Sequence, residues 1–266
     1  MDQTNQTNQL NQTALCSQIQ EIVRSCGQII LHAERTETMV TAKEGHANFV
    51  TTYDKKVQDV LKQKLLALLQ EAVFIGEEED CPTADPMHGY AFIVDPIDGT
   101  TNFIKDYKAS AISVCLAHDG EPLLGVVYNP YLDELFYAEK GSGASRNGIP
   151  IHVSQTPMER ALVLFGTSPY QESLAQKSFA MAYHYFTKAA DVRRSGSAAL
   201  DLCSVAAGRA ELFFELQLQP WDFAAGALIV EEAGGIVRTV DGRPYSIGHA
   251  SSILAASSRI EQELQL

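Results

Sequence analysis

The chain has 266 residues and a formal net charge of −13, enough length for a full hydrophobic core in one large domain or two small ones. The acidic balance argues against nucleic acid and anionic membranes as partners, and no apolar run approaches the ~20 residues of a membrane helix. Five cysteines without a Cys-x-x-Cys pair speak against a zinc ribbon or a disulfide framework and for a reducing, cytoplasmic setting.

Residues 1–14, rich in Gln, Asn and Thr, carry neither a basic nor an apolar segment, and read as a disordered polar tail and not as a signal peptide. From Leu15 the recurrence of Leu15, Ile19, Ile22, Val23, Cys26, Ile29 and Ile30 predicts an amphipathic helix to about Arg35. Residues 36–50, polar and containing Lys43 and Gly45, predict a loop or short hairpin. Asp54 stands near the start of a second helix with Val57, Val60, Leu61, Leu65, Leu66 and Leu69 on one face, a place where an acid commonly complements the helix dipole. A short strand over 72–75 ends in Gly76-Glu77-Glu78-Glu79-Asp80. Glu78, Glu79 and Asp80 read as a solvated loop. Glu77 takes the strand-end place that Asp95 takes on the next strand, so neighbouring strands would bring the two carboxylates together.

The stretch 90–103, Tyr-Ala-Phe-Ile-Val-Asp-Pro-Ile-Asp-Gly-Thr-Thr-Asn-Phe, reads as a buried strand running into a tight turn. Asp95 and Asp98, held close, repel each other unless a cation lies between them, and hard divalent cations prefer carboxylate and carbonyl oxygens. Gly99, Thr100 and Thr101 then offer N–H groups and hydroxyls at a helix start, a geometry that receives phosphate oxygens. Asp-Pro and Asp-Gly are also ordinary turn formers, and this stretch alone leaves both readings open.

Strands over 112–117 and 123–128, joined by Asp119-Gly120, predict a hairpin, and 135–138 adds a strand. The glycine-rich segment 141–148 lacks the Gly-Lys-Ser/Thr of a P-loop and reads as turns. From Ala161 strands and helices alternate: a strand over 163–165, helices over 173–188 and 197–207, a strand over 211–216 carrying Glu215, a helix over 223–233 closed by Gly234-Gly235, strands over 236–240 and 253–256, and a short terminal helix. Asp222 takes an N-cap position, which suits a structural cap and a ligand alike, and Trp221 is placed to fix its orientation by packing. The whole predicts one compact domain over 15–266, in halves of about 15–150 and 151–266.

In order and spacing, Gly76-Glu77-Glu78, Asp95-Pro96-Ile97-Asp98-Gly99-Thr100-Thr101-Asn102-Phe103, and Trp221-Asp222-Phe223-Ala224-Ala225-Gly226 with Glu232-Ala233-Gly234-Gly235 resemble the inositol monophosphatase family, magnesium-dependent and lithium-sensitive phosphomonoesterases. The resemblance implies an α+β fold, a layered α-β-α-β-α sandwich with mixed sheets, of the inositol monophosphatase and fructose-1,6-bisphosphatase type. It implies Glu77, Asp95 and the Ile97 carbonyl on one magnesium ion and Asp95, Asp98 and Asp222 on a second, with two or three ions in all. Gly99 and Thr100 would hold phosphate oxygens. Glu77 and Thr100 would orient the attacking water, with Asp54 hydrogen-bonded to the threonine and Lys43 supporting the region by its charge. Gly196, Ser197, Ala198 and Glu215, beside Asp98 and Asp222, would contact the substrate. The implied reaction is hydrolysis of a small phosphorylated polyol or sugar. Inositol 1-phosphate comes first, because Thr101-Asn102 stands where the adenosine-phosphate enzymes have Lys-Glu; fructose 1,6-bisphosphate, 3'-phosphoadenosine 5'-phosphate, histidinol phosphate and NADP are the alternatives. A homodimer is expected from the resemblance alone.

Competing patterns fit less well. Haloacid dehalogenase-type phosphatases separate their two acids by one residue, where Pro96 and Ile97 intervene here. No Gly-x-Ser-x-Gly elbow is present, and the seven histidines are scattered without metal-ligand spacing. A non-catalytic binding protein on the same fold would most easily lose its metal ligands, and every one is present.

Overall fold

Alternation along the strands sorts the apolar side chains into three cores, and the layers follow from that sorting. The computed structural model describes residues 3–34, 39–42, 49–78 and 84–264; Lys43, Glu79 and Asp80 lie outside them. A first helix, α1 (Gln3–Leu31), precedes a two-stranded antiparallel ribbon, β1 (Val40–Ala42) with β2 (Phe49–Thr51), and a second helix, α2 (Thr52–Leu68). A seven-stranded sheet then runs β3 (Val73–Gly76), β4 (Tyr90–Asp98), β5 (Ala111–His118), β6 (Glu121–Asn129), β7 (Glu134–Glu139), β8 (Gly143–Arg146) and β9 (Ile149–Ile151), in spatial as in chain order, with a short helix α3 (Thr100–Ile104) after β4. Only the β3–β4 pair is parallel.

The second half supplies β10 (Leu162–Phe165), α4 (Ala175–Phe186), β11 (Asp191–Arg193), α5 (Ala198–Ala206), β12 (Leu212–Leu218), α6 (Pro220–Glu232), β13 (Ile236–Arg238), β14 (Ser251–Ala256) and α7 (Ser258–Leu264). Its five strands lie in the order β11-β10-β12-β14-β13, parallel across the first three and antiparallel beyond. Phe92 and Val94 point to a core shared with α1 and α2, while Ile93 between them points to one shared with α5 and α6. In the same way Phe213 faces α5 and α6, whereas Leu212 and Phe214 face α4 and α7. Two helices, sheet, two helices, sheet, two helices: this is the layered α-β-α-β-α sandwich with mixed sheets. Among the described residues no helix is long and apolar enough to cross a membrane.

Four local readings are corrected. The polar stretch read as a tail is helical from Gln3, and the helix ends at Leu31, short of Arg35; a helix nucleated by its packed part extends into a Gln-rich segment at little cost per residue. The glycine-rich segment after β7 contains β8, which turns back into β9 through Asn147 (φ 50°) and Gly148 (φ 79°), the positive-φ pair of a tight hairpin. The edge strand β11, Asp-Val-Arg, escaped notice because short charged edge strands lack the apolar alternation that marks a strand. Asp222 is the third residue of α6, not its N-cap, since the helix starts at Pro220 after Gln219.

Candidate active site

A defect in the sheet aims the two central acids. Asp95 and Asp98 are three residues apart, which in a regular strand would place them on opposite faces. Asp95 pairs with Ser113 and Asp98 with Ala111, however, so the β4 segment holds one residue more than the β5 segment opposite. This bulge turns both carboxylates to the same side. Pro96 sits inside it, where a missing N–H costs no ladder bond. Asp95 Oδ1 accepts from Ile97 N (2.9 Å).

The remaining acids arrive from three elements. Glu77 follows β3, and its N–H donates to Val94 O (3.2 Å), which sets it beside the end of β4. Gln58 on α2 fixes that turn by accepting from Glu78 N (3.0 Å). Asp222 Oδ2 accepts from Gln219 N (2.7 Å) at the start of α6, and the adjoining Trp221 is tethered by Ser113 Oγ donating to its carbonyl (3.3 Å). Asp54 closes a capping box with Thr51 on α2 and reaches Thr100, whose hydroxyl lies 3.4 Å from Asp54 Oδ1 and 3.2 Å from Ile97 O. Asp54 therefore caps a helix and touches the site as well.

Gly99 stands at φ 85°, and a Cβ there would come within 3.1 Å of both Ala109 O and Gly196 O, so only glycine lets the two halves close around this turn. Asn102 ties them further, its Nδ2 donating to Ala109 O (2.7 Å) and Ser195 O (2.9 Å). Asp98 Oδ2 accepts from Ser197 Oγ and from Ala199 N (2.8 Å) at the start of α5. Glu215 on β12 accepts from Ser168 N (2.7 Å), and Gly166 makes room for it, since a Cβ there would fall 1.9 Å from Glu215 Oε2.

These elements enclose a cleft of about 470 Å³, lined by Glu77, Asp95, Ile97, Asp98, Gly99, Thr100, Gly196, Ser197, Ala198, Glu215 and Asp222, so the described residues singled out in the sequence come together here, with Asp54 behind Thr100. Of the lining residues with ionisable side chains, three, Asp201, Arg194 and Tyr170, carried no assignment from the sequence. Asp201 had a signal: it is an acid in the otherwise apolar helix Ala-Ala-Leu-Asp-Leu-Cys-Ser-Val-Ala. Arg194 and Tyr170 sit in loops, where a side chain's direction has no periodicity to reveal it.

Burial first, then the charges of Glu77, Asp98 and Asp222, push the Asp95 carboxyl well above the usual range. Burial also raises Asp222 and Asp201 well above it, with Glu77 and Asp98 adding to the effect on Asp222. Asp54 and Asp98 are pushed up to about 6, both chiefly by burial and both against hydrogen bonds that favour the ionised form. Glu215 reaches about 7 for the same first reason. Arg194 is the one cationic side chain among the described lining residues.

Four carboxylates and a main-chain carbonyl, with no His or Cys among them, offer only oxygen, the donor chemistry that hard divalent cations prefer, and their mutual repulsion is what such a cation would relieve. Among the described residues no group of three or more His, Cys, Asp or Glu side chains is gathered closely enough to hold an ion; the fit of the set to such a cation is one of donor chemistry.

Fold and cleft together define a layered α+β protein of the inositol monophosphatase type. The sequence pattern of the inositol monophosphatase family matches residues 11–266, and the chain belongs to that family. It is 36% identical over 227 residues to the Nus factor SuhB of Vibrio cholerae, covering 85% of this chain and 84% of that protein. The extragenic suppressor protein suhB of Bartonella henselae superposes with a TM-score of 0.83 at 32% identity, covering 92% of this chain and 94% of that one. SaIMPase-II bound to inositol monophosphate superposes at 0.79 with 28% identity, covering 94% and 92%.

Proposed function

We propose that the chain is a magnesium-dependent phosphomonoester hydrolase acting on small phosphorylated polyols, with inositol 1-phosphate as the leading substrate. The observation that carries this reading is the cleft in which Glu77, Asp95, Asp98 and Asp222 converge beside the Gly99–Thr101 turn. Glu77, Asp95 and the Ile97 carbonyl would hold one ion; Asp95, Asp98 and Asp222 would hold a second. Magnesium, when bound, neutralises the phosphoryl group, lowers the pKa of water and stabilises the leaving alkoxide. Thr100, its hydroxyl positioned by Asp54 and the Ile97 carbonyl, orients the attacking water with Glu77. The N–H groups of Gly99 and Thr100, at a helix start where they lack intrahelical partners, receive phosphoryl oxygens. Glu215 and the Gly196–Ala198 turn meet the polyol. No protein nucleophile is required.

Inositol monophosphate bound to the superposable SaIMPase-II supports the polyol assignment. A cytoplasmic homodimer, inhibited by lithium, belongs to the same reading. The test is a phosphomonoester panel with magnesium, ranked by kcat/KM: inositol 1-phosphate is expected to lead, with lithium inhibition. Turnover that persists in EDTA would sink the metal-dependent mechanism.

A second reading comes from relatives that carry the name Nus factor: association with transcription machinery, independent of turnover. An Asp95→Asn variant separates the two, since it would lose hydrolysis and keep such an association.

A further inference from the structure

One rim residue has no part in the reading above. Tyr170 is 56% exposed, yet it lines the same cleft as Glu77, Asp95, Asp98 and Asp222, and burial against the cleft, then the charges of these four carboxylates, push its phenol up. An amphipathic side chain at an entrance has an apolar ring to cover the opening and a polar tip to offer to the site.

The turn that carries it is tightly held. Ser168 is buried at φ 44°, and its N–H donates to Glu215 Oε1 (2.7 Å). Its hydroxyl donates to Gln217 O (3.3 Å) and accepts from Gln217 N (3.0 Å), and its carbonyl accepts from Gln171 N (2.8 Å). A non-glycine residue at positive φ directly before a proline is strained backbone, kept only where the surroundings over-determine it. The backbone that carries Tyr170, two residues on, is thereby held at the cleft.

We propose that Tyr170 is a substrate-contacting residue, its hydroxyl donating a hydrogen bond to a phosphoryl oxygen of the bound monoester while its ring covers the mouth of the cleft. The proposal rests on the phosphatase reading. A phenol keeps its proton at neutral pH, so among acids that only accept when ionised it is a donor. An anionic phosphoryl group is the acceptor that this cleft gathers. Other donors line the cleft, among them the Thr101 hydroxyl, the Trp221 indole N–H, side-chain amides and Arg194, whose Nε donates to Thr167 Oγ1 (3.2 Å).

The test is titration calorimetry of inorganic phosphate into the magnesium-loaded protein, with kcat/KM alongside, for wild type, Tyr170→Phe and, as a control on the exposed face of α4, Tyr183→Phe. Loss of one hydrogen bond to a charged group is expected to weaken phosphate about tenfold or more in Tyr170→Phe, with kcat/KM falling in proportion and Tyr183→Phe unchanged. Undiminished phosphate affinity in Tyr170→Phe, in a wild type that binds phosphate and turns over, overturns this proposal alone. Equal weakening in Tyr183→Phe overturns it as well. A wild type that binds no phosphate overturns it together with the phosphatase reading.

Discussion

Ser197 donates its hydroxyl to the same oxygen of Asp98, Oδ2, that accepts from Ala199 N (2.8 Å), so a carboxylate from the seven-stranded sheet is seated on the N-terminus of a helix from the other half. Ser197 is also the N-cap of α5, its side chain accepting from Leu200 N. One hydroxyl thus serves the helix and the proposed ligand. Ser197→Ala is expected to lower stability by about 1 kcal/mol through the lost cap, and to weaken magnesium by roughly tenfold or more through the lost orientation of Asp98. Calorimetry with magnesium, beside a thermal melt, reads both; unchanged metal affinity would show that Ala199 alone aims the carboxylate.

Asp95 lies at the centre of the acid cluster, and its loss separates function from fold. Asp95→Asn keeps the shape and removes one charge from a buried, mutually repelling set. Activity with magnesium is expected to fall more than about a hundredfold, beyond what loss of an outer partner costs. Without metal, the melting temperature is expected to hold or rise, because the acids no longer repel a charge there. A lower melting temperature in EDTA would show that the carboxylate serves the fold by more than the bond from Ile97 N, which an Asn oxygen can still accept.

Much of this was legible because the signals were local. The apolar run from Ala91 to Val94 marked a buried strand, and Asp-Pro-Ile-Asp-Gly-Thr marked the turn that ends it, with a ligand and an ordinary turn both open by composition. What the chain does not carry is pairing register: that β5 opposes three steps of β4 with two appears only when the strands meet, and this register turns Asp98 to the side of Asp95. Asp54 shows the same limit. A helix-dipole role could be read from its place before an apolar face, whereas its contact with Thr100, 46 positions away, came only from the family resemblance and depends on where α2 packs. Tyr170 and Arg194 lie in loops whose direction is set by tertiary bonds such as that from Ser168 N to Glu215.

Gly166→Ala tests the substrate side. The added methyl would meet the Glu215 carboxylate, so Glu215 must shift within the cleft that it lines and release Ser168 N. The expected result is a KM for inositol 1-phosphate raised several-fold, roughly the effect of 1–3 kcal/mol for a displaced buried hydrogen-bond partner. Magnesium affinity is expected to be retained, since Asp95, Asp98 and Asp222 do not touch that methyl. An unchanged KM would remove Glu215 from the polyol contacts.

The acid cluster also sets a pH dependence of stability with a definite sign. Burial raises Asp54 and Asp98 to about 6 and Glu215 to about 7, above the roughly 4 of these groups in an unfolded chain. Between about pH 4 and about pH 7 the metal-free native state therefore holds more protons than the unfolded state, and stability falls as pH rises through that window. Glu134, lowered by its Arg209 hydrogen bond, acts in the opposite sense and only toward the acid side of it. Magnesium requires the ionised carboxylates, so its stabilisation grows as their protons leave. Melts in EDTA are expected to be several degrees higher near pH 5 than near pH 7.5, and the gain on adding magnesium larger near pH 7.5. A metal-free melting temperature that rises across this interval would mean that the acids are already ionised and compensated within the protein, and the case for a bound cation would lose its electrostatic basis.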